Sequence, residues 1–426
     1  MPENPPTCQI HKKNFPWNNV FVSFPEMQCL NVPMAGDPDG LCILHSWNKE
    51  KNLEDFREAL MARWNKAGQE FNDFRNVFFP GPFDANDFFG SREFKKPINF
   101  HWARFLGPAD FSGANFAGRA DFSYAAFQEQ ADFSDATFQE QADFSNATFQ
   151  ERANFSGAEF QRSAGFFEAT FKERAVFFVA IFKGETLFSR INPQEERRVL
   201  SGSFTDIIID KEASLVFQDA DLSQVRFVGT DLSRVEFHNV TWARRLGRNV
   251  VYDEKLPQRY WKDDREFYLP EKYARVEKLY RQLALSYEQV GDLKSSGDFH
   301  YGELEMHRRA SKWRWFPLYW DNIYWLSSGY GERPLRAVLT LAGLLVVFSL
   351  VLLGLEKIPE VSDNWTLTGF WQALLYVLQQ GTMQKPDWLK PSTGGGKFLS
   401  VLMPILIIGQ TGLFSLALWN RLGRRR

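Results

Sequence analysis

Three cysteines and two histidines gather in the first 45 residues of this 426-residue chain. Cys8-x2-His11 and Cys42-x2-His45 are donor pairs with zinc-like spacing, and Cys29 lies between them. Thiolate and imidazole are preferred zinc ligands, and four of them close a tetrahedral structural site. Five donors (Cys8, His11, Cys29, Cys42, His45) therefore compete for four positions. The surrounding sequence is aromatic and Pro-rich and shows no strong helix before about residue 52, so a metal staple suits it. Buried thiols with a surface histidine are the alternative. Three cysteines are too few for a disulfide framework in a chain this long. The opening MPENPPTCQIHKKNFPW has no apolar signal-peptide core, which predicts a cytoplasmic setting.

A second group of residues with chemical potential lies near the C-terminus. Residues 337–355 and 398–419 carry no charge, and at about 1.5 Å per residue each run can cross a bilayer as a helix. Arg333 and Arg336 precede the first run, and Arg421, Arg424, Arg425 and Arg426 follow the second. This bias predicts a multi-pass protein with both termini in the cytoplasm and residues 356–397 outside. Between the runs, residues 364–383 are semi-apolar and helical in pattern, yet too polar for a span. This order resembles the two-transmembrane ion-channel superfamily of the potassium-channel type. That resemblance implies a re-entrant pore helix over 366–379, with Gln379, Gln380, Gly381, Thr382 and Met383 at the constriction. The TVGYG carbonyl ladder of potassium filters is replaced by QQGTMQKPDW, so potassium selectivity is not expected. In the second run Pro404, Gly409 and Gly412 suit a bend or gate, with close helix packing the alternative for the glycines. Gln410 puts a polar group near mid-membrane, which usually faces a bundle interior or a water path.

What positions these residues is read from periodicity. The formal net charge is -2, which argues against a nucleic-acid partner. A mean hydropathy of -0.35 averages a polar region, up to about residue 332, with an apolar one after it. Phe is the excess residue, 42 of 426. Steps of alternately five and six residues from Phe78 land on 21 positions up to Phe188, and every one is Phe. A small residue stands two places before most rungs, as Ala131 before Phe133 and Ala136 before Phe138. In extended backbone these side chains share one face, so Ala and Phe point inward together while Asp or Asn points out. Ser, Gly, Asp and Asn supply the turns. A second tract steps strictly by five through Phe217, Leu222, Phe227, Leu232, Phe237 and Trp242. The pattern resembles the pentapeptide-repeat family. That resemblance implies a four-sided right-handed β-helix, with coils of 22 residues and five coils over 78–188. Residues 189–214 read as an inserted loop that returns to the sheet. From Asp110 to Glu151 the chain carries eight acids and one base, which reads mainly as a solvated face.

Around this array the sequence predicts an amphipathic helix over 53–71 with Asn52 as its N-cap. Tyr273, Val276, Leu279, Tyr280, Leu283 and Tyr287 form one helical face, and a second helix runs from Leu293 to about Ala310. This pair is similar to one tetratricopeptide unit and reads as a connector. Residues 312–326 hold four Trp and two Tyr and read as one interfacial helix. The expected domains are 1–75 with the zinc site, 76–250 the β-helix, 251–311 the helical hairpin, 312–332 the interfacial helix and 333–426 the membrane domain. The chain as a whole resembles bacterial pentapeptide-repeat membrane proteins with a channel-like C-terminus. That resemblance implies an inner-membrane homo-oligomer, most simply a tetramer, with a permeant ion of unspecified identity and a cytoplasmic protein or ligand partner. A membrane-anchored scaffold is the alternative. No P-loop, G-x-S-x-G or H-E-x-x-H pattern is present, and no enzyme activity is expected.

Overall fold

The computed structural model describes residues 8, 10, 14–17, 20–23, 33–65, 70–192, 199–256, 269–316, 319–358, 365–384, 386 and 388–423. They belong to two compact units, Met1–Pro257 and Gln258–Arg426.

The first unit is a β-solenoid of about seven turns, built from four parallel sheets. Its strands are mostly dipeptides such as Ala120–Asp121, Ala126–Phe127, Ala131–Asp132 and Thr137–Phe138. Each pairs with its equivalent one coil on: Ala120 with Ala142, Ala126 with Thr148, Ala131 with Ala153 and Thr137 with Glu159. Four sides and a 22-residue coil are therefore both present. The Phe rings stack in columns down the interior. In the longest, Phe74, Phe100, Phe122, Phe144, Phe166, Phe188, Phe217 and Phe237 follow one another at centroid separations of 4.4–6.0 Å. The alanines two residues before the rungs are buried as well, which leaves room for large rings in a narrow core.

The acidic stretch has a structural use. Asp110, Asp121, Asp132 and Asp143 each accept the backbone N–H two residues ahead, so these carboxylates close the corners as Asx turns. Half of the corners also need a left-handed residue. Trp102, Gly113, Tyr124, Asp135, Asn146, Gly157, Glu168, Val179 and Arg190 hold positive φ at intervals of 11. Val179, at φ 49°, is the least suited, because a β-branched side chain crowds its own backbone there. Val179→Asn should stabilise the solenoid by about 1 kcal/mol. Thermal unfolding monitored at the β-sheet signal checks this, and an unchanged or lower midpoint counts against corner strain.

The ladder departs from expectation at its N-terminal end. Phe79, not Phe78, occupies the rung beneath Phe105, at 4.5 Å. The coil beneath is longer, with Asn72 pairing Ile98, because a short helix at Ala85–Phe89 is inserted in it. Phe89 ends that helix and packs on Trp64 instead of standing in a strand. The solenoid thus begins at Asn72, before the expected 76. After Phe188 the array does not stop. Ala175 pairs Gly202 across the insertion, whose residues 193–198 lie outside the described ones. The five-residue tract then continues the same sheets, Phe217 pairing Phe237. The single solenoid therefore exceeds the five coils expected for 78–188.

We label the helices in chain order. Helix α1 is Leu53–Trp64, with the Asn52 side chain accepting the Glu54 and Asp55 N–H groups as expected of an N-cap. It stops short of the expected residue 71, with Asn65 as its C-cap, and Asn72–Asp73 is the first strand of the coil. Helix α2 is Ala85–Phe89, and α3 is Tyr252–Lys255 beyond the last coil. Asp253 of α3 is fully buried and accepts the Phe227 N–H at 2.9 Å.

The second unit is helical. Helices α4 (Leu269–Gln289) and α5 (Leu293–Ala310) form the hairpin read from the sequence, with Val276, Leu279, Tyr280 and Leu283 buried. Gly302 lets the two helices approach, since a Cβ there would lie 2.7 Å from the Tyr280 ring. The aromatic stretch is not one helix. It forms a tight turn at Lys312–Trp315 and then α6 at Trp320–Ser328. Pro317, which lacks an N–H, lies between them in the sequence. Helices α7 (Pro334–Leu355), α8 (Leu367–Gly381) and α9 (Gly394–Gly423) follow. Helix α7 and residues 394–420 of α9 are long and apolar enough to cross a membrane.

Candidate functional site

At the N-terminal side, the turn at residues 42–46 sets the donor geometry. The His45 and Ser46 N–H groups both donate to Cys42 O, which folds the histidine back over the cysteine. Cys42 Sγ then lies 3.2 Å and Cys8 Sγ 3.5 Å from His45 Nδ1. The Cys42 N–H points at Cys8 Sγ, 3.2 Å away. All three donor atoms fall within 4.8 Å of one another, and all three residues are buried. His45 Nε2 is buried without a hydrogen-bond partner. This corrects the alternative of a surface histidine, since His45 is 0% exposed. His11 and Cys29, the other two donors, lie outside the described residues. Two thiols and an imidazole converging in this way suit a soft divalent metal, because zinc–sulfur and zinc–nitrogen bonds of about 2.3 and 2.0 Å place S and N about 3.5 Å apart. Nearby, Lys51 is 5% exposed and donates to Ile43 O and Phe78 O. Burial pushes its pKa down to about 7, against the opposing pull of Cys42 and Asp37.

In the second unit, α7, α8 and α9 share one core that includes Phe348, Leu352, Tyr376, Val377, Met403 and Ile407. Their outer faces are apolar too, with Val347, Leu350, Trp371, Leu375, Val401 and Ile405 exposed. Apolar surface on both sides of a helix suits lipid or a neighbouring subunit, not water.

The residues expected at a constriction are drawn together at the end of α8. Gln379, Gln380 and Gly381 are its last turn, and Met383 takes φ 60°. The Met383 N–H donates to Gln380 O and the Gln384 N–H to Gln379 O, at 3.0 and 2.9 Å. This is a Schellman cap rather than an extended row of carbonyls. The Gln side chains are held as well: Gln380 donates to the Tyr376 hydroxyl, and Gln379 accepts from the Trp388 indole.

In α9, Pro404 lies within the helix. Gly409 and Gly412 have nothing within 4 Å of where a Cβ would stand, so neither mediates close packing within the chain. Gln410 is buried, at 5% exposed. Its Nε2 donates to Ser327 O, Ala337 O and Thr340 Oγ1 at 2.7, 3.0 and 2.6 Å. Ala337 lies in the first turn of α7, so Gln410 sits level with the start of that helix rather than at its middle. It ties α9 to α6 and α7.

Two further polar centres were not foreseen. Glu305 of α5 accepts from Arg308, Arg309 and the Tyr330 hydroxyl, while Arg308 also donates to Asn322 of α6. Burial raises the Glu305 pKa, but Arg308 and Arg309 outweigh it and hold the carboxyl below its usual range. Glu356, just past α7, takes the backbone N–H and hydroxyl of both Ser392 and Thr393. Its pKa is held at about 2: burial acts upward, and the Thr393 and Ser392 hydrogen bonds prevail. A lone acid after an uncharged run, and a Ser-Thr-Gly-Gly-Gly segment before another, are the only local signals of this pair.

A family model described as "Pentapeptide repeats (9 copies)" matches residues 100–148, and one described as "Pentapeptide repeats (8 copies)" matches residues 216–241. Neither the curated proteins nor the solved structures give a match. The matched segments are the two Phe-bearing tracts of the solenoid, and the chain therefore carries pentapeptide repeats folded as a β-solenoid.

Proposed function

We propose that this chain is a membrane-embedded homo-oligomer whose solenoid is a right-handed, cytoplasmic surface for assembly and for binding a protein partner or ligand. The arginine bias supports a bacterial inner-membrane location with both termini inside and residues 356–397 outside. The solenoid's repetitive exterior suits protein recognition. Neither nucleic acid binding nor catalysis is part of this reading.

The observation that carries the membrane part is α8. Its 15 residues are too few to span a bilayer, yet it sits in the same apolar core as two helices that can. It keeps Leu367, Trp371, Leu375 and Leu378 exposed for lipid or a neighbouring subunit. A short helix entering and leaving on one side is tolerated where protein or water lines its return. Two spans cannot enclose a channel alone, so a re-entrant α8 implies an oligomeric pore, most simply a tetramer, around the Gln379–Met383 turn. The closed cap at that turn favours a second reading, a membrane-anchored scaffold, since the Gln379 and Gln380 carbonyls are already engaged.

Mass measurement of the detergent-solubilised oligomer and ion flux in liposomes separate the two. Flux that changes with Gln380→Ala in a tetramer supports the pore. Absent flux, with activity in cells retained after an unrelated two-span anchor replaces residues 333–423, supports the scaffold. A strictly monomeric protein overturns both.

The Cys8, Cys42 and His45 cluster we read as a structural zinc site, completed by His11 or Cys29. About one zinc per chain in the purified protein is the expected result.

A further inference from the structure

The donor cluster lies against one end of the solenoid, and that placement gives it a task. Phe78–Phe79 is the outermost strand of its sheet. On the inner side, the Arg104 and Leu106 N–H groups donate to Val77 O and Phe79 O, at 2.9 and 3.1 Å. On the outer side, no further coil is present among the described residues, and the Phe78 N–H donates instead to Leu44 O at 2.8 Å. Leu44 stands between the two ligands Cys42 and His45. The ligand turn therefore takes the position of the next coil.

Its neighbours extend the cover. Leu41 and Leu44 are buried, Lys51 Nζ reaches Phe78 O at 2.9 Å, Trp47 stacks on Phe78, and the Arg104 guanidinium lies 4.1 Å over the Trp47 ring. Open sheet edges invite pairing with other chains, and end coils of repeat proteins need a cap. Yet residues 33–52 include neither helix nor strand. The Asp37 carboxylate accepts from the Leu41 N–H and the Ser46 hydroxyl within this segment, and Cys8, Cys42 and His45 converge on its turn, Cys8 coming from 34 residues away.

We infer that a zinc-class ion held by Cys8, Cys42 and His45 fastens the edge-covering turn, so that metal binding closes the N-terminal end of the solenoid. The inference rests on the zinc reading above and adds a consequence to it. The metal forms bonds to deprotonated sulfur and to nitrogen, so its capture releases the thiol protons and needs no redox partner.

Hydrogen–deuterium exchange on the full-length chain in detergent tests it, before and after a strong zinc chelator. Removing zinc should speed exchange of the Phe78 amide at least tenfold and leave amides 131–177 unchanged. Added zinc, but not magnesium, should restore protection. Cys42→Ser and His45→Ala should reproduce the chelated state, and chelation of the unaltered chain serves if they do not fold. Zinc that binds and leaves with no change at Phe78 overturns the capping role but spares the zinc site. A chain that retains no zinc overturns both.

Discussion

Phe144→Ala should lower the opening free energy of the central coils by about 3–5 kcal/mol, the largest single-residue effect expected in the solenoid. Phe144 is 0% exposed and lies between Phe122 and Phe166, each 5.1 Å away and nearly parallel to it. Phe133 and Phe155 present their edges at 5.4 and 5.3 Å. Truncation removes the transfer free energy of the ring and leaves a cavity walled by other Phe rings. Those walls cannot collapse, because each ring is pinned by hydrogen-bonded coils above and below. A solenoid couples only nearest neighbours, so the lost ring weakens two coil interfaces together. Phe167→Ala is the control: that ring is 37% exposed beside the same column, and its loss should cost under about 0.5 kcal/mol. Exchange rates of the amides between residues 120 and 166 read both variants in the full-length chain. A loss below about 1 kcal/mol for Phe144→Ala would show that the column is not the device that holds the coils.

The same column explains why so much of the first unit is legible in the sequence. A ring every five or six residues can satisfy only a stacked, multi-sided core, and the pairing of Ala120 with Ala142 follows from it. The period is silent where composition keeps the Phe but the backbone changes course. Phe78, Phe79 and Phe83 all fit some ladder, and only the inserted α2 decides that Phe79 is the rung. The candidate sites divide along a similar line. Cys42 and His45 share one turn, so their proximity is readable from spacing. The approach of Cys8 depends on the path of the chain between them. The partners of Gln410 are not readable from sequence, because counting along α9 cannot tell where α7 begins beside it. Its three hydrogen bonds settle that it meets Ala337 and Thr340. Glu356 lies 36 residues from Ser392, with α8 between them, and no local pattern links the two.

Glu356→Ala should destabilise the packing of α7–α9 by about 3–5 kcal/mol, because it strips four donors of a charged acceptor at once. Oε2 accepts from Ser392 N and Oγ at 3.0 and 2.8 Å, and Oε1 from Thr393 N and Oγ1 at 2.9 and 2.6 Å. Thr393 Oγ1 in turn accepts the Gly396 N–H at 2.9 Å, so the carboxylate fastens the first turn of α9 to the C-cap of α7. Its negative charge also meets the positive end of the α9 dipole. Gly396 is required at its position, since a Cβ there would fall on Glu356 Oε1. Glu356→Gln keeps one acceptor oxygen and loses the charge, so it should cost about half as much. The pH dependence has a fixed sign. The folded-state pKa of about 2 lies below the ordinary 4.5, so the unfolded chain takes up the proton first as pH falls. The stabilisation is therefore complete above pH 4.5 and is lost between 4.5 and about 2. Thermal unfolding of the helical signal in detergent, run from pH 7 to pH 3, measures both effects. A Glu356→Gln variant whose acid sensitivity matches that of the unaltered chain would place the titrating group elsewhere and remove Glu356 as the clasp between the two long helices.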